Sequence, residues 1–307
     1  MQKKRRFEWL LYALGRGAVA LAALLPERLG YPLAAALGRL YFRCSRRRRR
    51  AALSFLGQAF PGMPERERLR LARVATGNVF KVALDVAKLT RLIDRGRDLL
   101  EVVDCSGILG RLPDPPFVAL TAHLGSWEVA AAAVARLCGE AHGVARVFRN
   151  ERLQRWMLAN RRKAGLHVHP RRGGIRGLAR ALERGAVGLQ AVDQHQRLRG
   201  LRVPFFGKEA SCERAAASLA LRHGYPVLVG FARRQGPGFR FRMVASDPFV
   251  PRRTGDRAGD LEVLVREINA RLEELIRMAP EQYLWIHERY RDRPEDGQEP
   301  AETTSSG

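Results

Sequence analysis

The segment Thr121-Ala-His-Leu-Gly-Ser-Trp-Glu128 puts an imidazole, a glycine and a carboxylate close together. On a single helix, His123 and Glu128 would project about 140° apart, too far round the axis to touch. The spacing therefore predicts His123 in a turn made possible by Gly125, with Glu128 in the first turn of a following helix reaching back to the ring. A carboxylate holding one ring nitrogen leaves the other free to accept a proton from a hydroxyl. This is the base and orienter of a catalytic triad without its nucleophile. The substrate would bring the hydroxyl, so the chemistry would be direct acyl transfer with no covalent acyl-enzyme. Ser126 is a poor alternative nucleophile because no G-x-S-x-G elbow surrounds it. A histidine in such a turn can also do no more than satisfy a local hydrogen bond.

The elements needed to position these residues follow from the periodicity. Over 51–100, apolar residues such as Leu69, Leu71, Val74, Val79, Val82, Val86 and Leu89 recur every three or four positions and predict helix, with Pro61 and Pro64 punctuating its start. Beyond Pro115 short apolar runs alternate with helical patterns. Strands are expected at 117–121, 143–148, 166–169, 186–192, 226–233 and 239–245, and helices at 129–137, 153–164, 175–183, 214–222 and 261–278. This alternation predicts an α/β fold with a mixed, largely parallel sheet flanked by helices. Ligands would then sit beyond the carboxyl ends of the strands, where His123 falls.

The 307 residues suffice for a large buried core, and a formal charge of +24 favours polyanionic partners. Only six of the 55 basic residues are lysine, a bias that coding preference alone can produce. Four scattered cysteines form no C-x-x-C pair, and the histidines, His167 and His169 included, show no metal-binding spacing, so no metal is expected. A nucleic-acid reader would interleave its basic residues with exposed aromatics or show a known module, and neither pattern is present. Near the amino terminus, Lys3 to Arg6 precede a mostly apolar stretch over 7–25, closed by Pro26 and followed by a second basic run at 46–50. The stretch has the length of a membrane span, although Arg16 at its centre equally suits a helix lying in the interface. An N-terminal hydrophobic membrane helix is expected, with the basic runs facing anionic headgroups.

Several blocks in register carry a family resemblance. His123-Leu-Gly-Ser-Trp-Glu128 resembles the H-x4-[D/E] motif of the lysophospholipid and glycerolipid acyltransferases, and more closely the late acyltransferases of lipid A biosynthesis, the lauroyl and myristoyl transferase type. Arg146 and Asn150 match a Y-R-P-x-x-N block, in which Val147 replaces the usual proline. Val192-Asp-Gln194 with Val203-Pro-Phe-Phe-Gly207 is similar to its D-Q and V-P-F-F-G blocks. Gln282-Tyr-Leu-Trp-Ile-His287 with Arg289 is similar to its ending, with Glu288 where a second basic residue is common. The resemblance covers about residues 5 to 294. It implies His123 and Glu128 as the catalytic pair, and Arg146, Asp193 and Gln194 as substrate-binding residues; Arg149 and Arg161 are further candidates for phosphate binding. Phe205 and Phe206 either line an acyl groove or fill core.

The resemblance also implies a thioester of acyl carrier protein as donor, acyl-CoA being the alternative, and no bound cofactor. The implied acceptor is an anionic, phosphorylated glycolipid, a lipid A precursor, and the implied location the cytoplasmic face of a bacterial inner membrane. Residues 1–43 would form the membrane-anchoring region, 44–291 the catalytic domain and 292–307 a disordered tail. Acylation of a lysophospholipid or another glycolipid would use the same base, and an inactive membrane scaffold is the remaining rival.

Overall fold

The computed structural model describes residues 2–145, 150–170, 173–197 and 200–290. The expected tail at 292–307, and Arg146 and Arg149, lie outside them. Four helices lead: α1 (Gln2–Leu24), α2 (Glu27–Cys44), α3 (Arg46–Ala59) and α4 (Glu65–Asp94). Pro26 separates the first two, and Ser45 caps α3 by accepting from the Arg48 amide. Then follow β1 (Val103–Asp104), the single-turn α5 (Ser106–Leu109), β2 (Val118–Thr121), α6 (Trp127–Cys138), β3 (Ala141–Ala145), α7 (Glu151–Lys163), β4 (Leu166–Pro170), α8 (Gly174–Glu183) and β5 (Val187–Ala191). A hairpin of β6 (Leu201–Phe205) and β7 (Lys208–Cys212), then α9 (Ala215–His223), β8 (Val227–Arg234), β9 (Phe241–Ala245) and α10 (Arg257–Met278) complete the described chain.

Seven strands form one sheet in the order β1-β9-β8-β2-β5-β3-β4, parallel throughout except for β8 against β9. The central strands are nearly continuous hydrophobic runs because both faces are covered. Val118, Leu120, Val227 and Val229 pack with Leu178, Ala217 and Leu261 of α8, α9 and α10. Ala119, Val187 and Leu228 pack on the opposite face with Val129 and Ala133 of α6 and with Leu84 of α4. The mixed, largely parallel sheet is as expected.

The N-terminal expectation is corrected. Among the described residues no helix is long and apolar enough to cross a membrane. Arg16 interrupts α1, and α2 spends one face on protein: Gly30, Tyr31, Ala35, Gly38 and Phe42 are buried against α4. The helices cross closely. A Cβ on Gly38 would stand 2.7 Å from the Thr76 carbonyl oxygen and 2.8 Å from Gly77 Cα. Two further elements went unexpected. The strands of the hairpin alternate too weakly to stand out, and β1 has only two residues.

A buried polar clasp joins these helices to the sheet. The Tyr31 hydroxyl donates to Asp85 Oδ1 at 2.9 Å, and the Arg234 guanidinium donates to the other carboxylate oxygen while stacking over the Tyr31 ring at 4.7 Å. Burial of Tyr31, reinforced by the Asp85 charge, pushes its hydroxyl far above the usual tyrosine range. Asp85→Ala leaves the Arg234 charge buried without its counter-ion, and such losses run to about 3–5 kcal/mol. Denaturant titration will show a fall of that size, and a fall below about 1 kcal/mol would contradict the clasp.

Candidate active site

His123 lies two residues beyond the end of β2 and Asp193 two residues beyond the end of β5. The strands are parallel neighbours with Thr121 paired to Ala191, so this register carries residues 123 and 193 out of the sheet side by side. His123 Nδ1 meets Asp193 Oδ1 at 2.8 Å. With Nδ1–H donating to the carboxylate, Nε2 keeps its lone pair. The Gln194 side-chain amide approaches that nitrogen at 3.4 Å, and the Trp127 ring sits edge-on to the imidazole at 4.9 Å.

The expectation that Glu128 orients the ring is corrected. α6 begins at Trp127, and its first turn points the Glu128 carboxylate towards α7, where both oxygens accept from Arg161, from Nε at 3.0 Å and from a terminal nitrogen at 2.5 Å. Glu128 still acts on His123 through its charge. Burial opposes protonation of the ring, but Asp193, by charge and hydrogen bond, and then Glu128 outweigh it and hold the imidazole above its ordinary value. Burial likewise raises Asp193, and His123 overrides it and keeps the carboxyl below the usual range.

The turn that presents His123 is fixed from two sides. Gly125 has φ +59°, and a Cβ there would come within 2.1 Å of the Ala232 carbonyl oxygen, so only glycine fits. The Ser126 amide donates to that same carbonyl at 3.0 Å. On the other side the Leu284 amide donates to the His123 carbonyl at 3.1 Å, and the Gly125 amide to that of Gln282 at 3.0 Å. Tyr283 is buried beside Asp193, and burial followed by the Asp193 charge raises its hydroxyl well above the usual tyrosine range. His287 accepts from the His195 amide at 3.0 Å, and burial pushes its imidazole down to about 4, which keeps it a neutral acceptor. The segment 282–289 thus builds the floor of the site. Its position in sequence gave no sign of this role.

The remaining candidates distribute as follows. Gln194 stands at the rim and Arg161 on Glu128. Asn150 caps α7 by accepting from the Arg152 and Leu153 amides at 3.1 and 3.0 Å. Phe205 and Phe206 fill core with Phe55, Trp285 and Tyr290 and do not line the cavity at His123. Glu288 is matched by Arg47 of α3, which donates to it at 2.8 Å.

No side chain here is an activated nucleophile among the described residues. Ser126 Oγ is buried without a hydrogen-bond partner, so no base is placed to activate it. Burial pushes the Cys105 thiol up to about 11 and raises Cys138, which disfavours both thiolates.

Beside the ring opens a cavity of about 540 Å³. It runs between α6 and the sheet because the facing positions are small: Ala130 and Ala131 on α6, and Ala119, Gly143, Ala145 and Gly230 on the strands. Ile108 and Met243 line it farther along the sheet, beside β9. A base at the edge of an apolar slot can deprotonate a hydroxyl next to a bound hydrocarbon chain.

Residues 1–292 match the family described as bacterial lipid A biosynthesis acyltransferase. The chain belongs to that family. It is 28% identical over 305 residues to the lipid A biosynthesis lauroyltransferase of Escherichia coli (strain K12), covering 94% of this chain and 93% of that one. The crystal structure of the 1-acyl-sn-glycerophosphate (LPA) acyltransferase PlsC from Thermotoga maritima aligns with a TM-score of 0.34 at 14% identity, covering 78% of this chain and 97% of that one. Family membership makes the protein an acyltransferase of lipid A biosynthesis.

In this lipid A acyltransferase, an imidazole whose pKa is raised by an anion is neutral only above that pKa, so a kcat/KM that needs neutral His123 rises with pH through it. Asp193→Asn removes the anion while burial remains, which moves the acidic limb of the profile to lower pH. The maximal rate falls by about 10²–10⁴-fold as the ring loses its fixed tautomer. A limb that stays put or moves up would rule Asp193 out as the orienter.

Proposed function

We propose that this chain transfers a fatty acyl group from the thioester of acyl carrier protein to a hydroxyl of a phosphorylated glycolipid, a lipid A precursor, with His123 as general base. The observation that carries the proposal is His123 at the mouth of an apolar slot, with Nδ1 held by Asp193 so that Nε2 is left for the acceptor hydroxyl. The acyl chain lies in the slot with its carbonyl carbon beside the ring. The acceptor hydroxyl gives its proton to Nε2 as its oxygen attacks that carbon. The tetrahedral intermediate collapses with cleavage of the C–S bond, and the departing thiolate takes the proton back from Nε2. Asp193 supports the imidazolium between the two steps.

Glu128 acts by holding Arg161, whose other N–H groups are available to negative charge on the carbonyl oxygen or on a phosphate. Arg146, by resemblance, supplies a further cation. An acidic carrier protein suits a chain with a formal charge of +24.

The reading also places the protein on the cytoplasmic face of the inner membrane, lying on the bilayer. Leu29, Leu33, Leu37 and Leu40 recur along one face of α2 and are 51–58% exposed, and Leu14 and Leu21 of α1 are exposed as well. Arg39 and Arg43 share that helix, and the basic run 46–50 opens the next one. Apolar area bordered by arginines is the composition of an interfacial helix.

Purified protein in detergent, given acyl carrier protein or coenzyme A thioesters with phosphorylated glycolipid or lysophospholipid acceptors, will add one acyl mass to the phosphorylated glycolipid, with the carrier protein preferred as donor. His123→Ala will remove that turnover with the fold intact by circular dichroism, and undiminished transfer in the variant would refute the mechanism. Leu33→Glu with Leu37→Glu will lower co-sedimentation with vesicles containing anionic phospholipid, whereas equal binding would exclude α2 as the membrane face.

A further inference from the structure

A second cavity, of about 650 Å³, lies between α8, α9 and α10 on the side of the sheet opposite α6. It shares Ile175, Gln196, Glu213 and Ala215 with the cavity at His123, so the two adjoin along a common wall. Its inner wall is apolar, formed by Ile175, Leu219 and Leu261, and Arg214 and Arg257 stand at its exposed margin. Among the described residues, neither guanidinium has an ion pair with an acidic side chain. Glu213, the one acid in the wall, is already committed: it accepts from the amides of Arg214 and Ala215 at 2.9 and 2.7 Å and from the Gln196 side chain.

We infer that this cavity binds the acceptor lipid, with one of its alkyl chains against Ile175, Leu219 and Leu261 and a phosphate on Arg214 and Arg257. The inference rests on the reading above that the acceptor is a phosphorylated, partly acylated glycolipid. The slot beside α6 holds the chain being transferred, and its carbonyl must meet the attacking hydroxyl at His123. A second apolar space, adjoining that slot on the other side of the sheet, suits the molecule that brings the hydroxyl. Two arginines without carboxylate partners, at the outer end of that space, match an amphiphile whose polar end is a phosphate, which guanidinium binds bidentately. The arm of a carrier protein, a chain of amides, would leave its polar groups against the apolar wall.

The test separates acceptor from donor. The variants are Arg214→Ala with Arg257→Ala, and separately Ala258→Trp, which fills the cavity from the exposed first turn of α10. KM is measured for the thioester, for the phosphorylated glycolipid and for its enzymatically dephosphorylated form. The double arginine variant is expected to raise KM for the phosphorylated acceptor about tenfold or more, the loss of one charge-assisted contact, and to leave the dephosphorylated acceptor nearly as it was. Ala258→Trp is expected to raise KM for both acceptors, and KM for the thioester should move by less than about twofold in either variant. Unchanged acceptor KM in both variants, or a thioester KM that climbs in step, would overturn the inference. If the wild type acylates a lysophospholipid and not the glycolipid, the acceptor identity proposed above fails. The same variants measured on the lipid that does turn over then decide whether the cavity holds an acceptor.

Discussion

A carboxylate removed from water must be surrounded by donors, and Asp193 is such a group. Its Oδ1 is met by the His123 ring and the carboxylate lies beside buried Tyr283, residues that belong to the loop after β2 and to the segment after α10. Meeting this one requirement locks three parts of the chain, distant in sequence, into a single unit. The loop bearing His123 is then tied by backbone bonds to the Tyr283 segment, and the loop bearing Asp193 is tied to it by His287. The orientation of the His123 ring is therefore a property of the fold, held by the parallel register of β2 and β5 and by the end of the described chain.

The large arginine surplus performs several separate tasks. Arg234 neutralises Asp85 in the interior, and Arg161 is paired to Glu128 at the site. Arg47 binds Glu288, and Arg48 donates to the Ile286 carbonyl at 3.1 Å, so the basic run opening α3 anchors the catalytic floor. An exposed pair such as Arg47 with Glu288 contributes little to stability by itself, and its value here lies in position. The arginines left over act at a distance, as a field that favours anionic lipid and acidic protein.

Cores normally fill to crystal-like density, so an empty slot between a sheet and its covering helix costs dispersion contacts that larger side chains would supply. Here alanine recurs on α6, and alanine and glycine on the strand positions that face it. The same economy of side chain lets α2 cross α4 at Gly38 and Gly77. In the one place it brings backbones together, and in the other, where the backbones stay a sheet-to-helix distance apart, it leaves room for a hydrocarbon chain.

Much of this was legible in the residues. Runs of Val, Leu and Ile separated by helical patterns specified the alternating strands and helices, because hydrophobic periodicity reports local geometry directly. The turn at Gly125 and the helix after it were equally local, and so was the placing of His123 in that turn. Which carboxylate meets its ring was not. Glu128 is near in sequence, but helix direction sends it to Arg161, while Asp193, seventy residues on, arrives through strand register. Whether an apolar helix meets lipid or protein was similarly undecided until α4 was seen covering one side of α2. Periodicity fixes what each segment is, and only the pairing of segments decides which side chains share a cavity.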